Sequence, residues 1–145
     1  MRSRFLLLTA ALLAACGSAL AADYLSLAEA AVMYDTPSAK GKPLFVVQRY
    51  TPMEVVVSLG EWVKVRDAEG TIAWIEKRSL SPARMLLATT RAQVRQAPDA
   101  NAAIVFEADR GVVLELLEAS PPGWAKVKHR DGQSGFVRIN QVWGS

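Results

Sequence analysis

Few side chains in this sequence have the means for covalent or metal chemistry. Its 145 residues hold one histidine, His129, and one cysteine, Cys16. A hydrolytic triad needs a base positioned beside a nucleophile, and zinc sites draw several ligands from histidine and cysteine. One of each, with Cys16 in an apolar N-terminal run, supplies neither, so no metal or cofactor is expected. The 14 acidic residues fall in no spacing that pairs two of them for acid–base work. Acids scattered in this way read as solvated surface. His129 precedes Arg130-Asp131-Gly132 and reads as a turn residue. The remaining chemistry is recognition, and the chain reads as a non-enzyme. Tyr34, Tyr50 and Trp62 lie near Arg49 and Arg66 in the first half, and Trp124 lies in the second. Rigid aromatics and arginines supply most of the energy of recognition surfaces.

The N-terminus reads as an export signal. Residues 5–15 are apolar at ten of eleven positions, follow Arg2 and Arg4, and lead into Ala19-Leu20-Ala21. That is the basic, apolar and small-residue order of a secretory signal peptide, expected to end at residue 21. Leu13-Ala14-Ala15-Cys16 also resembles a lipobox, which gives the alternative of a lipoprotein acylated at Cys16 and held to a membrane. Both alternatives put the folded part outside the cytoplasm, periplasmic or secreted in the first case and membrane-anchored in the second. Removing residues 1–21 leaves 124 residues with 15 basic and 14 acidic side chains, a net charge of +1. Near-neutrality gives no footprint for nucleic acid. No second apolar run approaches the roughly 20 residues of a membrane span.

An internal repeat organises the rest. Trp62-Val63-Lys64-Val65-Arg66 recurs 62 residues later as Trp124-Ala125-Lys126-Val127-Lys128. At the same offset Glu69-Gly70 meets Asp131-Gly132, and Ala73-Trp74-Ile75 meets Gly135-Phe136-Val137. Upstream the offset is 61, matching Pro37 with Pro98, Phe45 with Phe106, Arg49 with Arg110 and Glu54 with Glu115. The change falls where the second copy inserts Pro121-Pro122. Two tandem copies of one unit are implied, and we place them at 22–81 and 82–145.

Each copy reads as all-β. Met53, Val55, Val57 and Leu59 alternate with Glu54, Val56 and Ser58, the period of a half-buried strand. Val63 and Val65 alternate with Trp62, Lys64 and Arg66, and the second copy repeats the pattern. Glu69-Gly70 and Asp131-Gly132 then mark hairpin turns. Ser26-Leu27-Ala28-Glu29 fits a helix capping box, but the repeat requires one structure for both copies, so we expect a strand near Ala31–Tyr34 with at most one helical turn before it. Barrels of about five strands follow. The short, proline-containing joint at Leu80–Met85 favours two barrels packed together.

These motifs resemble the bacterial SH3-like (SH3b) domain, a small β-barrel common in exported bacterial proteins. Trp-x-Lys-Val, a loop closing in Asp/Glu-Gly, and Ala/Gly-Trp/Phe-Ile/Val carry the resemblance over residues 24–81 and 84–143. It implies two tandem SH3-like barrels, with no catalysis of their own, that act as targeting or binding modules. The implied partners are cell-wall peptide or an envelope protein. Tyr34-Asp35 is similar to the pair opening the first loop of eukaryotic SH3 domains. The proline and tyrosine of a polyproline groove are replaced by Glu76 and Ser79 in copy one and by Arg138 and Gln141 in copy two, so proline-rich ligands are not expected. Trp62 and Trp124 are then either exposed platforms or aromatics packed under the first loop or at the junction. Trp74 and Phe136 are expected in the core or between the barrels. The ligand-binding candidates are Tyr34, Tyr50, Trp62, Arg66 and Trp124. Copy one is favoured because copy two has Arg95 and Gly111 in place of the tyrosines. The alternative function is a structural accessory subunit or lipoprotein whose paired barrels form a protein interface.

Overall fold

The computed structural model describes residues 22–119 and 121–145. The expected export segment and Cys16 lie outside the described residues. Each copy forms one antiparallel sheet of seven strands. The first holds β1 (Tyr24–Leu27), β2 (Ala31–Tyr34), β3 (Pro43–Val47), β4 (Pro52–Leu59), β5 (Trp62–Arg66), β6 (Ile72–Glu76) and β7 (Leu80–Ser81), in the order β3-β2-β6-β5-β4-β1-β7. The second holds β8 (Met85–Ala88), β9 (Ala92–Arg95), β10 (Ile104–Ala108), β11 (Val113–Ala119), β12 (Trp124–Lys128), β13 (Ser134–Arg138) and β14 (Val142–Trp143), in the equivalent order. The strand expected at Ala31–Tyr34 is there. The stretch before it is strand β1 and a bend rather than a helical turn. Strands β1 and β7 pair with each other (Ser26 with Ser81, Leu27 with Leu80), which raises the strand number above the expected five.

Alternation sets the cores. Val63, Val65, Ala73 and Ile75 point inward against Leu27, Met33 and Met53; Ala125, Val127 and Val137 meet Leu86, Val94 and Leu114 in the second copy. Strand β4 departs from its expected pattern. A bulge between Val55 and Val57 shifts its register on β5, so Val57 lies opposite Lys64 and Leu59 opposite Trp62. A one-residue shift turns every later side chain to the other face. Val57 is 46% exposed and Leu59 57% exposed, where strict alternation places them in the core; Val56 and Ser58 are exposed too, so β4 past the bulge extends beyond the core on both faces.

The hairpin turns form as the sequence implies. Gly70 (φ 88°) and Gly132 (φ 98°) take the left-handed conformation that a side chain resists. The Asp67 carboxylate accepts from the Glu69 and Thr71 amides at 2.9 and 2.8 Å, and the Asp131 carboxylate accepts from the Gln133 amide at 2.9 Å. That amide, and the neighbouring His129 ring after it, hold the Asp131 carboxyl below its ordinary range.

The two barrels touch. Tyr24 meets Trp143 edge to face, with centroids 5.3 Å apart, and the Ser26 hydroxyl donates to the Ala83 carbonyl at 2.8 Å. The Arg84 guanidinium lies 5.9 Å from the Tyr24 ring centre. Burial first, then the Glu54 charge, raises the Tyr24 phenol above its ordinary value.

Candidate ligand-binding face

Residues directly opposite one another on neighbouring strands share a face of the sheet. The register of the first barrel therefore lays out its outer surface. Lys64 pairs with Val57 on one side and Trp74 on the other, and Trp74 pairs in turn with Tyr34, which faces Pro43. One row thus runs Val57, Lys64, Trp74, Tyr34, Pro43. The adjacent row runs Leu59, Trp62, Glu76. Tyr34 and Trp62 meet edge to face with centroids 5.6 Å apart, and the Lys64 ammonium lies 5.6 Å from the Trp74 ring centre. Tyr34, Trp62 and Trp74 are all half-buried. They form a fixed aromatic shelf bordered by the exposed apolar chains of Val57 and Leu59.

The second barrel builds the same rows from different chemistry. Glu118, Lys126, Phe136, Arg95 and Ile104 stand in the first row, Trp124 and Arg138 in the second. The Arg95 guanidinium donates to the Ala102 carbonyl at 2.7 Å and to the Gln93 side-chain oxygen at 2.6 Å, so it is held within its own barrel. The Arg138 guanidinium stacks over the Trp124 ring, 4.7 Å from its centre. Position for position, Trp62 faces a carboxylate and a tyrosine edge, whereas Trp124 is covered by a cation.

The candidates of the sequence therefore separate. Tyr34 and Trp62 come together. Trp74, expected in the core or between the barrels, stands beside them on the outer face, because it is in register with Lys64 and Tyr34. Phe136 does the same in the second copy. Arg66 sits one row away and donates to Glu54 at 3.0 Å across the β4–β5 pair, leaving less of its guanidinium free for a ligand. Tyr50 does not reach this face. It occupies the turn between β3 and β4, with Arg49 stacked 4.5 Å from its ring centre, and lines a cleft toward the second barrel. Trp74 and Lys64 were within reach of sequence reasoning, since a hairpin turn at Asp67–Thr71 forces Trp62 opposite Glu76 and Lys64 opposite Trp74.

Among the described residues no group of histidine, cysteine, aspartate or glutamate is arranged to hold a metal ion. No described helix is long and apolar enough to cross a membrane.

A family model described as the bacterial SH3 domain matches residues 28–82 and again residues 88–144. The chain belongs to this family. Each bacterial SH3 match takes in six of the seven strands of one sheet, β2 to β7 and β9 to β14, and the molecule is an all-β tandem of SH3-like barrels. A search of curated proteins finds no match. Among solved structures the chain is similar to NlpC2 and NlpC1 from Trichomonas vaginalis, at 14% and 15% identity and a TM-score of 0.40 each. The matches cover 86% and 95% of this chain but 49% and 51% of those. An NlpC/P60 family protein from Bacillus cereus is similar at 16% identity and a TM-score of 0.39, over 83% of this chain and 55% of that one. The bacterial SH3 tandem thus spans about half the length of these structures.

Proposed function

We propose that this protein is a non-catalytic binding module of the bacterial cell envelope that captures cell-wall peptide on the outer face of its first barrel. The observation that carries this reading is the asymmetry between two copies of one fold. The first copy presents Tyr34, Trp62 and Trp74 as one shelf, flanked by Lys64 and Glu76. The second places Arg95 and Arg138 at the matching positions and covers its tryptophan. A shelf of rigid aromatics offers contact area at low entropic cost, and Lys64 at its border suits a carboxylate of a short peptide, whereas Glu76 already accepts from the Arg78 guanidinium. Membership of the bacterial SH3 family and the export signal expected in residues 1–21 support a place in the envelope. In this reading Tyr34 and Trp62 are the principal contacts, Arg66 positions Glu54, and Trp124 plays no part.

Co-sedimentation of the purified protein with isolated cell-wall sacculi tests the reading. Saturable binding that soluble wall peptides displace supports it. Absence of wall binding, together with capture of one envelope protein at stoichiometric ratio, moves the function to an accessory subunit whose paired barrels form the interface.

A further inference from the structure

A cleft of about 740 Å3 lies between the barrels, away from the aromatic shelf. That volume is within the range of small-molecule sites, about 300–1,000 Å3. Its first wall is the β3–β4 turn with Arg49 and Tyr50; its second is the end of β12 and the following turn, with Lys128 and Arg130. Glu115 is the one carboxylate in the lining, against three cations. Among the described residues, none of those three lies within 4.0 Å of a carboxylate. Val112 and Val113 add apolar surface between the charged walls.

Tyr50 is the second observation. Its φ of 71° is left-handed, and it is the one described non-glycine residue with a positive φ. The repeat aligns it with Gly111, which has φ 90° and also lines the cleft. Both amides make the same bond, Tyr50 donating to the Leu27 carbonyl and Gly111 to the Ala88 carbonyl at 2.8 Å each. The turn demands a conformation that glycine adopts freely and a bulky side chain resists. Tyr50 is 40% exposed, so core burial does not offset that strain. Strain of this kind, held where the surroundings fix it, points to a site.

We infer that the cleft is a second binding site, for a short acidic peptide. Its cations come from both barrels, so they match two separated carboxylates better than one compact anion. Arg49 and Arg130 offer forked donors to those carboxylates. Arg49 lies over the Tyr50 ring, 4.5 Å from its centre, and the part of the ring that stays exposed, with Val113, receives an apolar side chain. This site shares no residue with the aromatic shelf and stands independently of the wall-peptide reading.

The test is fluorescence anisotropy on the purified protein with a labelled hexapeptide of alternating glutamate and leucine. Saturable binding is expected, weakening at least tenfold between 50 and 300 mM salt, with no binding of the lysine-for-glutamate counterpart. Arg49→Gln and Arg130→Gln should each weaken it several-fold. Tyr50→Gly should weaken it as well without lowering the melting temperature, which separates lost contact from lost fold. Trp62→Ala should leave it unchanged. Equal binding of the lysine peptide overturns the inference, as does indifference to both arginine substitutions. Displacement by low millimolar inorganic phosphate also overturns it, because the cleft would then be a site for compact anions.

Discussion

Gly135 sits where the backbone of β9 closely approaches β13 in the second copy. A methyl group added there would lie 2.5 Å from the Arg95 carbonyl oxygen and 2.8 Å from Val94 Cγ1, against an ordinary contact of 3.4–4 Å. The first copy carries Ala73 at the matching position, buried in its core, so β2 leaves β6 the room that β9 denies β13. Neither obstacle in the second copy can retreat easily. Val94 is fully buried, and Arg95 is tied by its guanidinium to Ala102 and Gln93. Backbone propensity alone favours Gly135→Ala by about 0.5–1 kcal/mol. Overpacking of this kind costs about 1–3 kcal/mol, so the substitution should destabilise on balance. At about 4–8 °C per kcal/mol for a domain of this size, the second barrel should melt several degrees earlier. Thermal unfolding followed by near-ultraviolet circular dichroism measures this, with Ala73→Gly as the reciprocal change in the first barrel. A Gly135→Ala protein melting at or above the wild-type temperature would refute the close approach of β9 to β13.

Two further outcomes are expected. Val65→Ala should cost roughly 1–3 kcal/mol in urea unfolding because it empties core volume, whereas Val57→Ala, past the bulge, should stay within about 0.5 kcal/mol; similar losses at both would place Val57 in the core after all. The Tyr24 phenol is raised above its ordinary value of 10.0, so its neutral form is favoured by folding. The stability this contributes is complete below that value and is lost as pH rises through the higher folded-state value. The difference in unfolding free energy between the wild type and Tyr24→Phe should therefore hold steady to about pH 10 and then fall; a difference independent of pH would contradict the placement of Tyr24 at the junction.

The repeat made much of the fold legible. Trp62–Arg66 and Trp124–Lys128 alternate cleanly, and the glycine turns after them fix which strand pairs with which. Strand β4 misled because Val55, Val56, Val57 and Leu59 are all apolar, leaving no polar marker for the bulge that changes the exposed face. Bulk and apolarity mark Trp74 for the interior, while its register beside Lys64 marks the outer face. Arg66 and Arg95 look alike as free cations in sequence, yet each is bonded within its barrel. Tyr50 resembles Tyr34 as an aromatic missing from copy two, although the glycine at its matching position signals a left-handed turn. That glycine says how the backbone bends. It does not say that the turn looks toward the neighbouring barrel, which depends on packing between the copies.

Wall peptide is proposed to bind the aromatic shelf of the first barrel and not the matching face of the second. The direct measurement is the affinity of soluble wall peptides for Trp62→Ala and Trp124→Ala proteins, compared by calorimetry under conditions where both melt well above the assay temperature. Loss of a central aromatic anchor should cost about 2 kcal/mol at Trp62, roughly 30-fold in Kd, with Trp124→Ala within a factor of two of wild type. Equal losses at both tryptophans, or none at either, would contradict it.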